Sequence, residues 1–513
     1  MQRCAAGWLA FVLIAASCGP GPAGSPSPVA TDEVDRTPTA TPSATATPET
    51  PSLGGEPLSE CRIGVMGAIE ALCGKLTVAE DPANPDGRTI DLHVAVIPAL
   101  APSPEPDPVF MLAGGPGGAA TESLAWAAST FTAIHTSRDI VLVDQRGTGG
   151  SNALLFGEPP DLTGLSGAAA NAALRDWTAA ELARFDADPR LYTTSVAMDD
   201  LDLVREALGY ERINLFGASY GATAAQYYIR QHGDRLRTVV LDGGSLLDVP
   251  LFELITSNSA AALDEVFERC AADAECAAAY PDLPGDLGAA LASLADAPVT
   301  TAVTNPATNE PVVIDVGGFA GALHTGLLNA TTSALIPWFT HAAAQGRWDE
   351  VAAAALAATG GKPPETDSPV MSAVIRCSEA WAAFDPDEVA RLGEGSYYVA
   401  VQLDAARRQE ASCRYTPKGI VPANDAEPAR SDVPVLLVVG SADPQDPPAN
   451  IADAPADFPN SVTVIAPGHG HTVAHLGCLP RVVDAFVEAG TVVGLDTSCV
   501  AEGGVPVEPF RLP

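Results

Sequence analysis

Ser219 stands in Gly217-Ala218-Ser219-Tyr220-Gly221, a G-x-S-x-G pattern. A serine hydroxyl attacks poorly unless a base takes its proton and a carboxylate orients that base. When such a serine tops a sharp strand-to-helix turn, small residues flank it because the backbones approach closely, and the acid and base follow later in the chain. Both are present. Val435 to Val439 is an unbroken apolar run that delivers Asp443 just past its end, and Val462 to Ile465 delivers Pro467-Gly468-His469-Gly470-His471. We read Ser219 as nucleophile, Asp443 as orienting acid and His471 as general base, with His469 and His475 as rivals for the base. His93, His135, His232, His324 and His341 have no such setting and read as surface or cap histidines. Attack on a carbonyl builds an oxyanion that needs preorganised N–H donors. Tyr220, next after the nucleophile, supplies one, and the run Gly114-Gly115-Pro116-Gly117-Gly118 supplies the other, from Gly115. With histidine as base, activity is expected to fall below about pH 6.5, the unperturbed value.

These residues need a scaffold that gathers them. Short apolar runs punctuated at their C-terminal ends predict strands at Val109 to Ala113, Ile140 to Val143, Ile213 to Phe216 and Val239 to Leu241. Apolar spacing across Ser195 to Leu208, stopped by Gly209, predicts the helix feeding the strand before Ser219, and Ala222 to Arg230 predicts the helix after it. Strands alternating with helices specify an α/β fold, a mostly parallel sheet covered by helices on both faces, with ligands at the carboxyl edge of the strands. After Asp242 the pattern turns to Ala-rich helices, such as Val351 to Ala358, with few strand signals until about Val433. The expected organisation is a core over 59–250 and 431–513 with a helical cap at 251–430.

The N-terminal part reads as an export signal over 1–17, with Arg3 ahead of an apolar stretch from Ala5 to Ala16 that is too short to span a bilayer. Ala15-Ala16-Ser17-Cys18 is similar to a lipoprotein cleavage site, which makes Cys18 a candidate for lipidation, with ordinary cleavage after small residues as the alternative. Residues 18–58, rich in Pro, Ser and Thr, read as a tether. Any contact with a membrane would therefore pass through a lipid anchor. With 64 acidic against 27 basic residues and a formal charge of −37, the chain has the wrong sign for nucleic acid. Setting aside Cys4 and Cys18, eight of its ten cysteines remain. Sequence neighbours pair Cys61 with Cys73, Cys270 with Cys276, Cys377 with Cys413 and Cys478 with Cys499, although spacing alone does not fix connectivity. No close Cys/His quartet calls for a metal, and no cofactor motif is present.

The segments Leu112 to Gly118, Asp144 to Ser151, Phe216 to Gly221, Gly440 to Pro444 and Pro467 to His471 leading to Cys478 resemble the proline iminopeptidase and tripeptidyl aminopeptidase family of α/β-hydrolases. The resemblance implies the α/β-hydrolase fold with an inserted helical cap, the same triad and oxyanion donors, and peptide substrates. Ala113, where many iminopeptidases carry histidine, points to the exported branch, while His469 stands where the family loop is commonly not histidine. Glu379, in Cys377-Ser378-Glu379, resembles a family position whose acid holds the substrate's free amino group, with a solvated helix residue as the alternative. Asp144 and Arg146 read as a structural corner. The expected activity is an exported serine aminopeptidase. A carboxylesterase and a catalytically idle binding module are the alternatives, and the oligomeric state is open.

Overall fold

The computed structural model describes residues 51–512 apart from 65–66, 158–159, 161–166, 307–308, 359–367 and 380–383. The export segment, Cys18 and the tether up to residue 50 lie outside the described residues. The end of the expected tether differs from its reading. Leu53 and Leu58 are buried, and a Cβ on Gly74 would lie 2.5 Å from Leu58, so the chain is already packed on the sheet here. Two leucines in a polar stretch suffice to dock it.

Nine strands form one sheet. In chain order they are β1 (Ser59–Ile63), β2 (Ile69–Ala79), β3 (Thr89–Ile97), β4 (Val109–Leu112), β5 (Ile140–Val143), β6 (Ile213–Ala218), β7 (Leu236–Asp242), β8 (Val435–Gly440) and β9 (Ser461–Ala466). Their spatial order is β9-β8-β7-β6-β4-β5-β3-β2-β1. Strands β4 to β9 run parallel, and β1, β2 and β3 add an antiparallel edge through β5. Strands β4 and β5 are apolar throughout because both their faces are covered, whereas the edge strand β9 leaves Thr463 and Ile465 exposed. Phe110, Leu112, Val141 and Val143 join one buried cluster, and Val109, Met111, Ile140 and Leu142 join the other. Fully burying one such side chain contributes about 1.5–3 kcal/mol.

Helix α1 (Thr194–Ala207) leads into β6, and α2 (Tyr220–His232) leaves it. Both pack on the first cluster through residues such as Met198, Leu201, Tyr227 and Tyr228. Between β7 and β8 the chain forms α3 (Leu251–Ala272), α4 (Val316–Leu327), α5 (Pro369–Ser378) and α6 (Val399–Cys413) among shorter helices. Helices α3 and α4, with Trp338 from a shorter helix, build a third cluster around Val266, Phe319 and Leu323, while α5 packs Met371 and Ile375 into the first. The cap also contains an antiparallel pair, Val299–Thr304 with Pro311–Ile314, which the sequence reading did not place. After β9, α7 (Leu479–Ala489) covers the second cluster with Val482, Val483 and Phe486. The four expected cysteine pairs are the four disulfides among the described residues. No helix among the described residues is long and apolar enough to cross a membrane.

Because β4 to β9 are parallel, their carboxyl ends share one edge of the sheet. The chain goes from β4 to one neighbour, β5, and later returns as β6 on the other side of β4. Loops after β4 and β6 part there, opening the crevice where ligands bind in such sheets. Gly114 and Ser219 face each other across it: a Cβ on Gly114 would lie 3.2 Å from that of Ser219.

Candidate active site

Ser219 occupies the turn between β6 and α2 with φ +56° and ψ −126°, a left-handed-side conformation that a non-glycine residue holds only under constraint. Its N–H donates to the Asp242 carbonyl at 2.9 Å, and its own carbonyl accepts from Ala222 N–H at 2.8 Å. The flanking glycines are there for space. A Cβ on Gly217 would lie 2.2 Å from the Gly221 carbonyl oxygen, and one on Gly221 would lie 2.4 Å from the Leu112 oxygen. Tyr220 is the first residue of α2, which puts its N–H beside Ser219. Gly115, with φ +125° and a cis bond to Pro116, lines the same narrow cleft as Ser219 and Tyr220. The structure thus brings together the three residues expected to form the nucleophile and its oxyanion donors.

Asp443 follows β8 and is fully buried. One carboxylate oxygen accepts from His471 Nδ1–H at 2.8 Å, and the other accepts from the N–H groups of Gln445 and Asp446, both at 2.9 Å. With Nδ1 donating to the acid, Nε2 is the nitrogen left to act as base; it is buried and has no hydrogen-bond partner among the described residues. Both Ser219 and His471 flank the turn after β7. A Cβ on Gly244 would lie 3.6 Å from the Ser219 carbonyl oxygen, and one on Gly243 would lie 3.3 Å from His471 Nδ1. The two histidine rivals are elsewhere. His469 is buried with Nε2 3.3 Å from the Val505 carbonyl, and the His475 carbonyl accepts from Ser129.

Two carboxylates that the sequence reading missed surround this pair. Asp242 accepts from Val473 N–H at 2.7 Å and from Ala474 N–H at 3.2 Å, which anchors the histidine loop from below. Asp446 Oδ2 lies 3.7 Å from His471 Nδ1, while Oδ1 accepts from Ser245 at 2.6 Å. Their only sequence signals were an aspartate ending β7 and a second acid three residues beyond Asp443. The cap also reaches the loop, since His471 N–H donates to the Leu328 carbonyl at 2.9 Å.

The electrostatics follow from this crowding. Burial disfavours the imidazolium of His471, but the Asp443 carboxylate, then Asp446 and Asp242, outweigh it and push the pKa up to about 9. Burial also raises Asp446 to about 6 and Asp242 to about 7. Asp443 is held below the ordinary carboxylate value, because His471 and the two backbone donors overcome the cost of burial. The expected titration near 6.5 is therefore corrected upward: three carboxylates facing one imidazole favour its charged form.

Glu379 is the acid expected to hold the substrate's free amino group. It is buried just past the end of α5 and does not line the cleft at Ser219. Its two oxygens accept from Thr194 N–H at 2.7 Å and Thr194 Oγ1–H at 2.6 Å, at the start of α1. Thr194 Oγ1 in turn lies 2.7 Å from the Tyr220 hydroxyl, which links Glu379 through Thr194 to the residue after the nucleophile. Burial raises its pKa from 4.5 to about 8. A folded-state value above the unfolded one means stability that is complete below about pH 4.5 and is lost as pH rises through 8. Glu379→Gln, which mimics the neutral acid, is expected to flatten the fall in Tm between pH 5 and pH 8; parallel Tm curves for the two proteins would contradict this.

The Asp144-Gln145-Arg146 segment forms the structural corner expected of it. Asp144 accepts from Thr121 N–H at 3.0 Å and Gly150 N–H at 2.9 Å. Arg146 is fully buried and makes a bidentate pair with Asp200, at 2.7 and 2.8 Å.

A mostly parallel sheet flanked by helices, with a strained serine elbow at the carboxyl ends of its strands, is the α/β-hydrolase fold. The alpha/beta hydrolase fold model matches residues 107–279, and the chain has that fold. Within the class its likeness is to serine peptidase-like members, since the TAP-like protein model matches residues 400–499. Serine protease Hip1 of Mycobacterium tuberculosis is 27% identical over 199 residues, covering 34% of this chain and 36% of that one. Tripeptidyl aminopeptidase of Streptomyces coelicolor is 30% identical over 191 residues, covering 33% of this chain and 34% of that one. The matches thus span about a third of each curated relative. Among solved structures, a proline iminopeptidase of Mycobacterium smegmatis aligns at 15% identity and a TM-score of 0.34, covering 81% of this chain and 97% of that one.

Proposed function

We propose that the chain is an exported serine peptidase that releases short N-terminal pieces from peptides through an acyl-enzyme. The observation that carries this reading is the strained Ser219 elbow set beside a His471–Asp443 pair whose Nδ1–carboxylate bond is 2.8 Å. His471 Nε2 takes the hydroxyl proton as Ser219 Oγ bonds to the scissile carbonyl carbon, and the oxyanion is held by the Gly115 and Tyr220 N–H groups. Collapse of the intermediate expels the amine, to which His471 returns the proton. Water, deprotonated by the same nitrogen, then hydrolyses the ester and frees Ser219.

The cap supports an end-directed activity. The cleft at Ser219 is only about 60 Å³ and shares Phe252, Arg376 and Gln445 with a cavity of about 550 Å³, which admits a chain end more readily than a folded loop. The likeness to the tripeptidyl aminopeptidase points the same way. Four disulfides support an oxidising compartment, and the leader and Cys18 make a lipid-tethered envelope protein the proposed location. Short peptides are the proposed partners.

The test compares an unblocked peptide amide with its N-acetylated form. An ammonium that loses its charge-assisted contact is expected to lower kcat/KM by about 10-fold or more. Equal turnover of the two, or cleavage confined to simple esters, would replace the aminopeptidase with an endopeptidase or a carboxylesterase on the same triad.

A further inference from the structure

With 64 acidic residues against 27 basic ones, a buried arginine in this chain has carboxylates in excess to pair with. Arg146 pairs with Asp200, and Arg138 pairs with Asp107. Arg376, on α5, does otherwise. It enters no ion pair and donates no hydrogen bond among the described residues; its Nε is buried without a partner, and its guanidinium lies 5.2 Å from the Phe252 ring centre. Burial alone pulls its pKa below 12.5, with no carboxylate to offset it.

The place is as informative as the isolation. Arg376 lines the narrow cleft with Ser219, Gly115 and Tyr220, and it also lines the 550 Å³ cavity behind it. That cavity has no aspartate or glutamate among its described lining residues, and its second arginine, Arg408, is paired with Asp404. Asp446, the single carboxylate in the described wall of the cleft, is turned to Ser245 and His471 instead. The arginine is also held in place. Ser368 caps the start of α5, Gln409 on α6 donates to the Arg376 carbonyl at 3.1 Å, and the next residue, Cys377, is bridged to Cys413. A half-buried guanidinium beside a nucleophile, with its Nε shut off from water and from any partner, carries a desolvation cost that is recovered when an anion arrives with the ligand.

We propose that Arg376 receives a carboxylate of the substrate, within the cleft that leads from Ser219 into the cap. The planar guanidinium, steadied over Phe252, matches a carboxylate bidentately. The proposal deepens the peptidase reading and takes its substrate class from it. In a peptide the carboxylate has two sources, an Asp or Glu side chain near the scissile bond or the free C-terminus of a short substrate.

The experiment measures kcat/KM for unblocked peptide amides differing only as Glu or Gln near the scissile bond, and for the Gln peptide as free acid and as amide. In parallel, the same peptides protect Ser219 from a fluorophosphonate probe, a readout that needs no peptide cleavage and so survives failure of the peptidase reading. The expected result is a preference of about 10- to 100-fold for one carboxylate-bearing member, in turnover and in protection. Preference for Glu over Gln identifies the side chain, and preference for acid over amide identifies the C-terminus. In Arg376→Gln the ratio is expected to fall to about 1, and in Arg376→Lys to an intermediate value, because the charge remains without the planar fork. A wild-type ratio near 1 in both readouts overturns the proposal, and so does a wild-type preference that survives in Arg376→Gln.

Discussion

Ser219→Ala is expected to lower kcat by about 10⁶-fold and to abolish labelling by a fluorophosphonate, because the triad works as a unit and little remains when its nucleophile is gone. The fold should tolerate the change. Serine and alanine meet the positive φ of the elbow with the same Cβ, and the bonds that shape the turn run through the Ser219 backbone to Asp242 and Ala222. A Tm within a few degrees of wild type beside lost labelling is therefore the expected pair of results. Labelling that persists in the alanine protein would remove Ser219 from the mechanism.

The second large effect separates two neighbouring carboxylates. Asp443→Asn is expected to cost about 10⁴-fold in kcat, since an amide at the 2.8 Å contact can present its NH₂ to Nδ1 and hold the imidazole in the wrong tautomer. Asp446→Asn should act on the pH profile instead. The base works only when neutral, and the surrounding carboxylates favour its protonated form, so kcat/KM of the wild type is expected to fall as pH drops from about 9. Removing the charge 3.7 Å from Nδ1 favours the neutral ring, and the acid limb should move to lower pH by on the order of one unit. An unmoved limb in Asp446→Asn would mean that its charge does not reach His471.

The parts of the molecule that the sequence displayed are those where one physical demand governs each residue. Strands β4, β5 and β8 are buried on both faces, so their runs are apolar without alternation, and glycines or acids of the site follow their ends. The elbow was legible because close approach admits only small residues at Gly217 and Gly221. The antiparallel edge was not, because β2 mixes exposed and buried positions along Ile69–Ala79 and contains Gly74 and Lys75. Glu379 shows a different gap. Sequence gives the type of a residue and its neighbours but not the direction of its side chain, which here turns to Thr194. Arg376, three positions earlier, stands in no motif, and its missing counter-ion, which only the structure displays, sets it apart.

The bridge from Cys377 to Cys413 ties the end of α5 to the end of α6, and both helices wall the cavity behind the cleft. With it closed, the two helices that carry Arg376 and Gln409 are held together at one end of the cavity wall. Reduction would open that bridge without altering Ser219, Asp443 or His471, none of which is a cysteine, and so remove the staple beside the proposed anion receptor. The ability to cut and the ability to choose would then part company, leaving selectivity as a trait acquired only where thiols are oxidised.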